Sequence, residues 1–203
     1  MVADVFTQTI SGKMVSLTNP KPEQIDIHDM VYSLCRINRF NGHTKGIPYS
    51  VANHSWFAAR QAGKAGFTAN QVLDVLLHDA HEYILGDITT PASQAIGALA
   101  YMNNRYMFKR DLYRIKAGID EAIYAKLGIA RAADGTGMIV RAIDLRTLET
   151  ERRDLLNKPE DLSPWRTLKK VKPFKDKITP IEPNEMFSLF YRELTRLVAA
   201  VKQ

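Results

Sequence analysis

The run Leu76-Leu77-His78-Asp79-Ala80-His81-Glu82 constrains this chain more than any other stretch. Four ionisable side chains fall within five residues, directly after an apolar segment containing Val72, Leu73, Val75, Leu76 and Leu77. The apolar spacing predicts a mostly buried helix from Thr68 to Leu85, closed by Gly86. On such a helix Glu82 lies one turn beyond His78 and on its face, His81 lies near that face, and Asp79 sits ~100° round. Burying these groups is costly unless something pairs with them, and a divalent metal is the economical partner for imidazole and carboxylate together. A solvated or hydrogen-bonded His-Asp pair is the alternative this run alone leaves open.

The remaining pattern predicts further helices around it. Residues Val5 to Thr18 alternate as a short β-hairpin with its turn at Ser11-Gly12. Ile25, Ile27, Met30, Val31, Leu34 and Ile37 predict a helix from about Asp26 to Ile37, with Asp26 placed to cap it. Gly42 and Gly46 mark a loop, and a second helix is expected from Tyr49 or Ser50 to near Gly63. It carries His54 on an apolar face with Val51, Phe57 and Ala58. Asp87 to Pro91 reads as a loop, with Pro91 placed to start the next helix. Ala92 to Leu127 is helical but broken around Gly97 and Gly118, and Arg105, Lys109, Arg110, Arg114 and Lys116 make it basic. Asp134-Gly135-Thr136-Gly137 marks a connection. In the helix expected from Met138 to Asn157, Asp144 stands in a column with Val140 and Leu148, a local inconsistency of the kind functional sites carry. Lys158 to Pro183 reads as an extended basic connection, and Asn184 to Val201 as a closing helix.

The expected architecture is all-α, one helical-bundle domain over residues 1–203 with a small N-terminal β-hairpin. Its core falls at about 20–157, with 158–203 a basic connection and C-terminal helix. No apolar run approaches the ~20 residues that span a bilayer, and Met1-Val2-Ala3-Asp4 lacks the regions of a signal peptide. The single cysteine, Cys35, excludes an internal disulfide framework and fits a reducing, cytoplasmic compartment. The net charge of +6 draws on Lys169, Lys170, Lys172, Lys175 and Lys177. Without a nucleic-acid-binding motif beside it, that charge favours an anionic small substrate over nucleic acid.

Histidine, histidine-aspartate and aspartate, at His54, His78-Asp79 and Asp144, stand in the order of the HD-domain phosphohydrolase signature. The chain resembles that superfamily over about residues 6 to 150. The Gly86-Asp87-Ile88 that follows the motif strengthens the likeness, as does Ile37-Asn38-Arg39-Phe40, which is similar to a segment of bacterial HD-type 5'-deoxynucleotidases. Asn19 to Glu23 and Tyr49 to Ser55 resemble small phage HD hydrolases, among them dATP triphosphohydrolases.

The resemblance implies one divalent transition metal (zinc, cobalt or manganese) on His54, His78, Asp79 and Asp144, with a second divalent ion arriving with a triphosphate. It implies catalytic roles for Glu82 and Asp87. Arg39 and Arg141 would contact phosphate, Phe40 the nucleoside, and Pro91 the base or sugar. Ser93 stands where the dATP-hydrolysing relatives have a second phosphate lysine, a charge that Lys109 or Arg105 could replace. Gly42 stands where they have a bulky aliphatic residue. The implied activity is dATP hydrolysis to deoxyadenosine and triphosphate. The alternatives are 5'-deoxynucleotidase activity on dNMPs, a nuclease or cyclic-nucleotide phosphodiesterase, and a non-catalytic nucleotide-binding module. A homo-oligomer, dimer or hexamer, is implied as well, with Trp165 and the exposed apolar residues of the Met186 to Val201 helix as contacts. The compartment would be the host cytoplasm if the chain is phage-encoded.

Overall fold

The alternation near the N-terminus does form a hairpin. In a computed structural model that describes residues 3–102, 107–132, 135–161 and 163–203, β1 (Phe6–Gln8) pairs antiparallel with β2 (Met14–Ser16), Thr7 opposite Val15. Arg105 and Asp134 lie outside the described residues. All other regular structure among the described residues is helical.

Helix α1 (Ile27–Leu34) starts where Asp26 accepts from the backbone N–H of His28 and Asp29, a cap worth ~1 kcal/mol. It stops short of the expected Ile37. The chain turns at Cys35 and enters an antiparallel bridge between Asn38 and Ser50, in which Val51 N–H donates to Ile37 O and Arg39 N–H to Tyr49 O. That bridge fixes Arg39 beside the start of α2 (Val51–Lys64), whose N-cap is Ser50. Between the two runs Phe40, Asn41 and Gly42 all have positive φ. For Phe40 this costs about 1–2 kcal/mol. At φ 79° a bulky aliphatic residue would be strained in place of Gly42.

Helix α3 (Ala69–Leu77) is the centre of the bundle. Thr68 and Gln71 form a capping box at its start, and α2, α7 (Thr136–Leu155) and α8 (Pro183–Val201) pack around it. Its Val72, Leu73, Val75, Leu76 and Leu77 are buried as expected. The single helix expected to Leu85 is instead broken. Residues 78–81 form a turn, and α4 (Glu82–Leu85) is a separate short helix ended by Gly86. Ala80, Glu82 and Tyr83 each donate to the carbonyl three residues back, which uncouples α4 from α3. His78 and Asp79 therefore sit at the C-terminal end of the most buried helix, where the helix dipole favours a cation.

The segment after Pro91 forms α5 (Thr90–Met102) and α6 (Phe108–Leu127). The expected breaks at Gly97 and Gly118 do not occur; both glycines are inside helices. A Cβ at Gly97 would lie 3.6 Å from Lys109 Cε, and one at Gly118 3.6 Å from Pro20, so these glycines serve close packing rather than a turn.

The basic connection is strapped to the bundle. Phe174 N–H donates to Thr150 Oγ1 (2.9 Å), Ile178 N–H to Asp154 Oδ2 (2.8 Å) and Ile181 N–H to Asn53 Oδ1 (2.8 Å). Its lysines at 169, 170, 172, 175 and 177 are exposed. Met186, Phe190, Leu194 and Leu197 of α8 are buried in the core, while Tyr191 on the same helix is exposed. Cys35 is buried, and desolvation pushes its thiol up to about 12, as an inert core cysteine requires. No helix among the described residues is long and apolar enough to cross a membrane.

Candidate metal centre

Three helices bring four of the sequence-predicted residues together. His54 comes from the first turn of α2, His78 and Asp79 from the turn that ends α3, and Asp144 from α7. His54 Nε2 lies 3.2 Å from His78 Nε2 and 3.3 Å from Asp144 Oδ1. His78 Nε2 is 3.2 Å from Asp79 Oδ2 and 3.9 Å from Asp144 Oδ1, and His54 Nε2 is 3.8 Å from Asp79 Oδ2. His54 is fully buried, Asp79 mostly so, and Asp144 is about one-third exposed, which leaves an open side.

The protonation pattern suits a cation at the centre of this set. His78 Nδ1 faces Val75 O at 2.7 Å, and a carbonyl can only accept, so Nδ1 carries the hydrogen. His54 Nδ1 faces Glu151 Oε1 at 2.6 Å. Glu151 is held below the usual carboxylate range, against the cost of burial, by Arg39 and His54, so it too accepts. Both neutral rings thus turn a bare Nε2 lone pair toward the other. Two such lone pairs 3.2 Å apart repel unless a proton or a metal ion sits between them. In the protein alone a proton fills that role: burial disfavours charged His78, but Asp79 and Asp144 outweigh it and push its pKa up to about 10. His54 is raised too, with Glu151 and Asp144 overcoming burial and Arg39. Asp79 is held well below its usual range, despite burial, by His78, His54 and Arg39. His54, His78 and Asp144 offer ligand atoms within 4.8 Å of one another, and Asp79 lies 3.2 Å from His78 Nε2 and 3.8 Å from His54 Nε2, a donor set that fits a divalent metal.

Arg39 is placed differently from the expectation of a phosphate contact. Its NH1 lies 3.3 Å from Asp79 Oδ2 and its Nε 3.4 Å from Glu151 Oε1, with the side chain mostly buried. In this arrangement it holds the carboxylates that orient the cluster. Glu151 was missed in the sequence. It stands two turns beyond Asp144 on α7, on the same side, but within Glu149-Thr150-Glu151-Arg152-Arg153, which reads as a solvated face. The i+7 spacing from Asp144 was the available signal. Because Glu151 fixes the tautomer and basicity of His54, Glu151→Ala should weaken metal affinity ~10–100-fold. Competition against a chelator of known affinity measures this, and unchanged affinity would remove Glu151 from the site.

Glu82 is buried with Oε2 unpaired among the described residues. Burial, then the charges of Asp79 and Asp87, push its pKa up to about 9. Asp87, half-buried on the loop after α4, is raised by burial with Arg39 opposing and Asp79 adding. Lys116 on α6 acts on both carboxyls from outside. Lys109 instead lies over Gly97 in the α5–α6 seam. Pro91 is exposed in the first turn of α5, and Phe40 is half-buried with Arg39 5.7 Å over its ring. A cavity of about 500 Å³ opens on the cluster, with His78, Asp144 and Arg141 on its wall. Asp74, Asp120, Tyr124, Arg131 and Thr136 also line it. His81, expected to be a surface or supporting group, is buried, with Nδ1 3.1 Å from Asp120 Oδ1. His28 and His43 are exposed.

No protein-family model matches this chain. An uncharacterized protein of Rhodobacter capsulatus is 42% identical over 95 residues, 45% of this chain and 48% of that protein, so the match spans about half of its length. The uncharacterized protein YfdR of Escherichia coli K12 is 28% identical over 193 residues, 95% of each chain.

Proposed function

We propose that this chain is a metal-dependent phosphohydrolase of the HD-domain type acting on deoxynucleotides, with dATP hydrolysis to deoxyadenosine and triphosphate as the favoured reaction. The observation that carries the reading is that His54 Nε2 and His78 Nε2 lie within 4 Å of each other and of the Asp79 and Asp144 carboxylates, with a buried Glu82 nearby in the chain and with His78 and Asp144 on the wall of a nucleoside-sized cavity. One zinc, cobalt or manganese ion would be held by those four side chains. Bound there, it would supply Lewis-acid polarisation of a phosphoryl oxygen and a lowered pKa for water.

The chain's own groups divide the proton work. Part of the upward push on Glu82 comes from the Asp79 charge, and neutralising that carboxylate returns Glu82 toward the ionised form in which it takes a proton from attacking water. Asp87, raised and nearer solvent, holds the proton delivered to the departing 5'-oxygen. Water adds to the α-phosphorus, the bond to the 5'-oxygen breaks, and the nucleoside leaves with that proton. Arg141 on the cavity wall is placed to meet phosphate oxygens, and Arg131 on the same wall adds a second guanidinium.

The second reading is a 5'-deoxynucleotidase releasing phosphate from dNMPs. It is favoured by one observation: Arg39 is already engaged by Asp79 and Glu151, which removes one cation from the triphosphate's supply. Incubation of metal-loaded protein with deoxynucleoside mono- and triphosphates, followed by separation of products, decides between them. Release of triphosphate from dATP supports the first reading; hydrolysis of dAMP with dATP untouched selects the second; no turnover of either overturns both. Arg141→Ala is expected to lower kcat/KM for dATP ~10-fold or more, and for dAMP less, because the longer anion depends on more cations. Equal losses would take Arg141 out of triphosphate recognition.

A further inference from the structure

All three buried or half-buried histidines near the cluster share one arrangement. His54 Nδ1 is anchored on Glu151, His78 Nδ1 on Val75 O, and His81 Nδ1 on Asp120 Oδ1. In the first two the bare Nε2 points into the proposed metal cluster. His81 is 5% exposed and its Nε2 has no partner among the described residues. Asp120 is itself secured by Arg131 at 2.9 Å, so it has every reason to keep the Nδ1 hydrogen of His81 and leave Nε2 as a lone pair. An orphaned ring nitrogen in a buried position costs about 1–3 kcal/mol unless something binds it.

The next residue in the chain carries a second orphan. Glu82 is 4% exposed and its Oε2 is likewise unpaired among the described residues. Asp79, His81 and Glu82 each offer a ligand atom, all within 4.8 Å of one another. The local charge is lopsided as well. Asp79, Glu82 and Asp87 act on one another, and the cations acting on Glu82 are Arg39, already paired, and Lys116.

We infer that Asp79, His81 and Glu82 form a second divalent-cation site, sharing the Asp79 carboxylate with the cluster of His54, His78 and Asp144. One ring nitrogen and two carboxylates suit a borderline to hard ion such as Mn²⁺, Co²⁺ or Zn²⁺. A carboxylate has two oxygens and can bridge two ions, so Asp79 serves both sites without rearrangement of α3. The site rests on the metal reading of the first cluster only through that shared residue.

The test is a count. Metal-free protein is titrated with Mn²⁺, free ion is read by electron paramagnetic resonance, and unfolding is followed in parallel to verify that each variant is folded. Wild type should take up two ions per chain. His81→Asn retains an N–H able to face Asp120 but presents no ring nitrogen to Glu82, and should take up one. His81→Ala, as a second variant, should also take up one. Wild type saturating at a single ion, or folded His81→Asn still holding two, overturns the second site while leaving the first intact. A wild type that binds none overturns the metal reading and this site with it.

Discussion

Asp79→Ala is expected to leave the chain with no tightly held metal and with turnover reduced at least ~10³-fold. Asp79 reaches both histidines of the cluster and the arginine beside it: 3.2 Å from His78 Nε2, 3.8 Å from His54 Nε2 and 3.3 Å from Arg39 NH1. Its removal deletes one ligand, leaves Arg39 with Glu151 as its remaining close carboxylate, and lets the two histidine nitrogens drift apart. Lewis-acid catalysis is worth several kcal/mol, and each 1.4 kcal/mol is about tenfold in rate, which sets the size of the loss. His78→Ala should behave alike for the cluster ion, because His78 anchors its nitrogen through Val75 O at the end of α3. Elemental analysis of dialysed protein measures the first effect and product release the second. Full occupancy of the cluster with wild-type turnover in either variant would remove these residues from the site.

Glu82→Gln separates proton transfer from the hold of His54, His78, Asp79 and Asp144 on the cluster ion. The carboxyl is buried, adjacent to Asp79 in charge but outside the four atoms of the cluster, and the amide is nearly the same size. The cluster of His54, His78, Asp79 and Asp144 should therefore keep its ion while kcat falls at least ~10²-fold, the usual scale of general acid–base help. The wild-type rate should also fall off on the acid side as Glu82 takes up its proton, and Glu82→Gln should lose that limb. If Glu82→Gln turns over normally with the cluster ion in place, the proton acceptor is another group.

The parts of this account that were legible in the sequence are those that depend on pattern along one element. Asp26 reads as a cap and is one. His54 and Asp144 read as polar residues on apolar faces, and they meet although 90 positions of sequence separate them. What failed depended on the third dimension. The break at residues 78–81 has no glycine or proline to announce it, since tertiary packing of α4 against α1 decides it. Gly97 and Gly118 look like helix breakers but are contact points between neighbours. Arg39 looked free for a ligand, and its two partners, Asp79 and Glu151, come from segments far along the chain. Glu151 was hidden because a buried charge inside an acidic-basic run is indistinguishable from a solvated one until its partners are seen.

The central claim is that His54, His78, Asp79 and Asp144 hold a catalytic ion, and diffraction tests it most directly. Crystals of the protein grown with zinc or cobalt, measured at the absorption edge of the metal, should show an anomalous peak within coordination distance of His54 Nε2, His78 Nε2 and the Asp79 and Asp144 carboxylates. No anomalous density at that position in metal-saturated crystals, with His54 Nε2 and His78 Nε2 still in contact, would contradict the account.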